Sequence, residues 1–126
     1  AGSVGQALGL AAAVGLAEEF LFRGVLEGAA RASRGLGARL APLATAAAFA
    51  TVHWNARAWL GLLLLSLVLS QAKRAASGAL DLPAGLHAGL VAAHFLLDAS
   101  GAYQPLPAAA WLVGTRAGGA PFGPGR

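Results

Sequence analysis

Glu18 and Glu19 stand side by side inside an apolar run, Val14-Gly-Leu-Ala-Glu-Glu-Phe-Leu-Phe-Arg23-Gly-Val-Leu26. A carboxyl group in a dry setting holds its proton to higher pH, which suits a general base or acid working near neutrality. Charge at membrane depth costs about 2.5–3.5 kcal/mol per residue on insertion scales, so such residues mark function. Glu19 and Arg23 are four apart, share a helical face and can pair. Glu18 points about 100° away from Glu19 on a helix. One carboxylate is then neutralised and the other is free for chemistry. The bland alternative is that both only hold Arg23 and neighbouring helices.

Three histidines accompany the pair. In Phe49-Ala-Thr-Val-His53-Trp54, Phe49 and His53 are also four apart and share a face. His53 can donate to an oxyanion, shuttle a proton or ligate a metal, or it simply caps a helix end beside Trp54. In Leu86-His87-Ala-Gly-Leu-Val91-Ala-Ala-His94-Phe-Leu-Leu-Asp98, residues His87, His94 and Asp98 fall on one helical stripe. His94 and Asp98 are expected to pair near the far interface. Gly85 and Gly89 flank His87 and allow another backbone to approach it.

These residue types support two chemistries. A metal site needs three ligands, such as Glu18, His53 and His87, with an open position for water, and zinc is the candidate ion. A metal-free site uses a glutamate to activate water and histidines to stabilise the oxyanion, with no cofactor required. No His-Glu-x-x-His zinc helix is present. Spacing alone does not choose between them.

The elements that must position these groups are helices. Apolar segments run from about residue 4 to 30, 40 to 54, 58 to 72 and 82 to 97. They are rich in Ala and Leu and lack strand-like alternation. Pro42 and Pro83 are expected near helix starts, where proline is tolerated. The first segment is long enough to span a bilayer, which takes about 20 residues, and the other three are short. Abundant Ala and Gly permit close helix approach in lipid.

Composition agrees. The chain has 126 residues, 57% hydrophobic and only 11% charged, against about 25% charged for a soluble domain. Its mean hydropathy is +0.65. The fold class expected is all-α, a polytopic membrane helical bundle of about four transmembrane helices. Residues 1–99 form the core domain and 100–126 a Gly/Pro-rich C-terminal tail. There is no cysteine, so disulfides and thiolate metal sites are excluded. There is no methionine either, so the chain is expected to be a piece of a longer or processed protein. The net charge of +4 comes from short basic clusters, Arg31, Arg34 and Arg39, then Lys73 and Arg74, with no interleaved aromatics. They read as loop charges rather than a nucleic-acid surface, and they put both basic loops on one, cytoplasmic-type side. Counting at 1.5 Å per residue places Glu18 and His53 each roughly 20 Å from that side, but His87 only about 10 Å from it. Either the 75–82 loop dips inward or the expected helix starts are displaced.

Taken together, Glu18-Glu19-x-x-x-Arg23, Phe49-x-x-x-His53 and Gly-Leu-His87-Ala-Gly resemble the CAAX prenyl protease and bacteriocin-processing family of intramembrane proteases, which includes the Ras-converting endopeptidase and the Abi proteins. The resemblance spans about residues 14 to 98. It implies a membrane-embedded helical core with a polar cavity, hydrolysing a peptide bond of a membrane-tethered or prenylated protein in a plastid or bacterial-type membrane. It assigns water activation to Glu18, support to Glu19 and Arg23, and water or oxyanion contacts to His53 and His87. It favours the metal-independent glutamate mechanism. The family often carries asparagine four residues after the third-motif histidine. Here that position is Val91, which offers no donor, as in some bacterial, cyanobacterial and plastid-type members. Two other readings fit the residue types: a non-catalytic membrane scaffold or pseudoprotease of the same family, and an ion or proton pathway.

Overall fold

The structure, a computed structural model, describes residues 3–100. Four helices account for nearly all of them, and no strand occurs among the described residues. Helix α1 spans Val4–Ala32 and is continuous, with a π-helical stretch at Phe20–Leu26. Helix α2 is Leu36–Val52, α3 is Trp59–Ala75 and α4 is Asp81–Ala99. A short 3₁₀ turn, Ala56–Ala58, leads into α3. Residues 101–126, which hold nearly all of the expected Gly/Pro-rich tail, lie outside the description.

Local sequence explains the ends. Ser3 accepts from the Gln6 backbone while the Gln6 side chain reaches back to the Ser3 backbone, a reciprocal cap that starts α1. Ser33 ends α1 in extended backbone, and Gly35 at φ 68° lets the chain reverse into α2. After α2, Asn55 accepts from the Ala58 amide and the Trp59 indole donates to Thr51, which together fix the turn that carries His53. Helix α2 begins at Leu36, four residues before the expected start. Pro42 therefore lies inside the helix, where it cannot donate to the Ala38 carbonyl, rather than in its first turn. Pro83 sits in the first turn of α4 as expected.

Helices α1 and α4 pack antiparallel. The Gly15 position approaches so closely that a Cβ there would lie 2.9 Å from Ala88, and Leu80 reaches the Gly24 position further along α1. Helix α3 runs parallel to α1, with Arg23 against Ser66 and Glu27 against Ser70. Helix α2 joins this group through Phe22, Phe49, Ala50, Ala58 and Leu62, which form the compact apolar core.

The distribution of polarity is inverted relative to a water-soluble bundle. Glu19, Arg23, Glu27, Ser66, Ser70 and His87 are buried. Leu16, Phe20, Leu21, Val25 and Leu26 on α1 are exposed. Only 17% of the most apolar stretch of α1 is buried, so this is not the core helix of a soluble domain. By length and composition α1 alone among the described residues is long and apolar enough to cross a bilayer; Leu36–Val52 and Asp81–Leu97 are apolar but shorter. At 1.5 Å per residue α1 extends roughly 43 Å. The arrangement is a helical membrane bundle with a polar interior.

Candidate active site

Glu19, Arg23 and Glu27 recur every four residues along α1 and all face inward, fully buried. A π turn is wider than an α turn, so residues four apart drift little around the axis there. That keeps the three charges in one column across the π-helical stretch. The Arg23 guanidinium donates through one Nη to Glu19 Oε1 at 3.1 Å and through the other to both the carbonyl and the hydroxyl of Ser66. Its Cζ also lies 4.8 Å from the centre of the Phe49 ring, within cation–π range. Breaking such a buried pair leaves an uncompensated charge, which costs about 3–5 kcal/mol.

The expected site residues converge around this column. Glu19 Oε1, already holding Arg23, lies 2.9 Å from His87 Nδ1. A carboxylate oxygen accepts, so His87 Nδ1 carries a proton, and its Nε2 accepts in the neutral ring and donates in the protonated one. His53 Nδ1 lies 2.6 Å from the Phe49 carbonyl, which can only accept, so Nδ1 is again the donor and Nε2 again the free position. Both free nitrogens face Glu18 Oε2, at 3.6 Å from His53 and 3.4 Å from His87. That oxygen is buried and has no hydrogen-bond partner within the protein. Glu18 Oε2 and the two Nε2 atoms thus border one small volume, where a water molecule can donate to the carboxylate and exchange a hydrogen bond with an imidazole.

Glu18 differs from its neighbour in access. Its side chain is 28% exposed while that of Glu19 is fully buried. The 100° rotation between successive helical residues puts one carboxylate in the packed column and the other at its edge. Phe49 is the partition behind the site. It packs edge-on against Phe22 and contacts the rings of both His53 and His87. His53 occupies the C-cap of α2. The next residue, Trp54, takes a left-handed backbone at φ 51° and is exposed, an uncommon conformation for a bulky side chain.

His87 lies level with Glu18 and Glu19, not nearer the basic end. Leu80 packs against the Gly24 position, five residues beyond Glu19, so the 76–80 connection sits partway down α1 instead of at its end. The loop dips inward. His94 lies two turns beyond His87 and stacks on Phe95; the side chain of Asp98, its expected partner, is outside the described residues. Val91, one turn past His87, is buried.

Sequence reasoning did not single out Glu27, Ser66 or Ser70. Glu27 Oε2 accepts from the Ser70 hydroxyl and Oε1 accepts from Arg31 Nε. The spacing of Glu19, Arg23, Glu27 and Arg31, four residues each time with alternating sign, was the available signal. The two serines carry no comparable signal, since small residues are common wherever helices pack in lipid.

As for a metal, no group of three His, Asp or Glu side chains among the described residues is placed to hold one. Neither a curated protein nor a solved structure matches the chain. The family model described as type II CAAX prenyl endopeptidase Rce1-like matches residues 1–99.

Proposed function

The chain belongs to the type II CAAX prenyl endopeptidase Rce1-like family, and from that premise we propose that it is an intramembrane endopeptidase acting on a membrane-tethered, prenylated CAAX-type substrate through a glutamate-activated water. The observation that carries this reading is the approach of His53 Nε2 and His87 Nε2 to Glu18 Oε2, at 3.6 and 3.4 Å, beside a buried ion pair.

The chemistry needs an acceptor on Glu18 and a protonated ring on one of the two histidines. Glu18 takes a proton from the bound water as its oxygen attacks the scissile carbonyl carbon. The carbonyl oxygen becomes an oxyanion, and a protonated imidazole, His53 or His87, donates to it through Nε2. Collapse of the tetrahedral adduct breaks the C–N bond, and the proton held by Glu18 passes to the leaving amine. Glu19 does not touch the reacting atoms. It fixes the His87 ring and tautomer through Nδ1, and Arg23 with Ser66 fixes Glu19. No cofactor is needed for these steps, and none is routed through zinc.

A non-catalytic scaffold of the same family is the second reading, favoured by Val91, which has no donor where the family often has asparagine. Purified protein in liposomes, given a test peptide tethered by a prenyl group, separates the two. Cleavage that depends on the tether supports the protease. Intact peptide, with the protein folded and reconstituted, supports the scaffold.

A further inference from the structure

The basic clusters read from the sequence as separate loop charges meet at one place. Arg31 at the end of α1 and Lys73 and Arg74 at the end of α3 line a cleft of about 470 Å³, closed by Glu27 and Gly78. Glu27 is occupied by Arg31 and Ser70. The cleft therefore presents three cations against a single, already paired carboxylate. Arg31 commits Nε to Glu27 at 2.8 Å. Its Nη2 lies 2.7 Å from the same oxygen, so Arg31 is the paired cation of the three. Lys73 uses one of its three donors on the Arg23 carbonyl and Arg74 is exposed. Gly78, at φ 92°, adds no side chain to the wall and has open space beside it.

We propose that this cleft binds the phosphate of an anionic lipid headgroup. Basic pockets between helices at the cytoplasmic end of a bundle recognise such headgroups. A substrate carboxylate does not fit the same position. Arg31 is 13 residues from Glu18, roughly 20 Å along the helix, whereas three extended residues beyond a scissile bond reach only about 10 Å. The site is independent of whether the chain cleaves peptides.

Native mass spectrometry of the detergent-purified chain tests this, with phosphatidylglycerol and phosphatidylcholine offered at equal concentration. The wild type is expected to retain phosphatidylglycerol preferentially. Arg74→Gln should lower that preference roughly fivefold, and Arg74→Gln with Lys73→Gln by roughly fivefold more. If the double variant does not fold, Arg74→Gln alone decides. Equal retention of the two lipids, or an unchanged preference in Arg74→Gln, overturns the proposal. So does displacement of the lipid by millimolar inorganic phosphate, which would make the free ion the ligand. Displacement by a peptide with a free C-terminal carboxylate, but not by its amide, would assign the cleft to substrate and likewise overturn it.

Discussion

At the scale of single residues, the adjacent glutamates have separate fates because one helical step separates a packed face from an accessible edge. Glu19 is locked between Arg23 and His87, while Glu18 faces the Nε2 atoms of two imidazoles. Glu19→Gln should therefore act mainly on stability. It leaves Arg23 buried without its counter-charge, and thermal unfolding in detergent should report a loss of about 3–5 kcal/mol. His53→Ala should do the reverse. His53 has a local hydrogen bond and its contact with the Phe49 ring to lose but leaves no charge unpaired, so unfolding should shift less than in Glu19→Gln, while the cleavage rate constant falls about 10²–10³-fold if it stabilises the oxyanion. Ser70→Ala removes a donor from the fully buried Glu27 and should cost about 1–3 kcal/mol without touching the reacting groups. Glu18, Glu19 and Arg23 were legible in the sequence because carboxylates and an arginine inside an apolar run have few innocent explanations. The serines that complete their hydrogen bonding were not, since nothing local distinguishes a packing serine from one that faces a guanidinium 43 residues away.

At the scale of elements, the site depends on how closely α4 lies against α1. A Cβ at Gly15 would meet the Ala88 backbone nitrogen at 2.9 Å, which no side-chain adjustment relieves. Gly15→Val should push α4 outward, carry His87 away from Glu18, and cost about 1–3 kcal/mol of stability together with most of the activity. Gly9→Ala is the matched control: it has open space, and replacing a helical glycine there should stabilise by up to about 1 kcal/mol. Paired unfolding and cleavage assays on the two variants separate close approach from helix propensity. The positions of the four helices were readable from apolar run lengths, but their ends were less so. Gly35 starts α2 early enough to place Pro42 mid-helix. Depth counting failed for His87 because it assumed that every connection lies at the surface, whereas the 76–80 segment packs partway down α1. A period-based reading registers rotation around a helix well, but it does not register how far one helix slides along another.

At the scale of the whole molecule, the polar interior and apolar exterior require lipid as the outer solvent. Among the described residues only α1 has the length and hydropathy to cross a bilayer by itself. Its exposed Leu, Phe and Val side chains would otherwise present a large apolar surface to water, which soluble monomers rarely do. The expressed chain should accordingly remain in the membrane pellet after alkaline carbonate extraction. Membrane character was legible from composition alone. The meeting of the two basic clusters in one cleft was legible only as far as their common side, because joining them requires the parallel register of α1 and α3. The central claim, that Glu18 is the base that activates water, is tested most directly by cleavage of a tethered peptide in liposomes by wild type and Glu18→Gln at matched expression and matched thermal stability. The amide cannot take the proton, so the account predicts that cleavage by Glu18→Gln is abolished. Wild-type cleavage by that variant would contradict it.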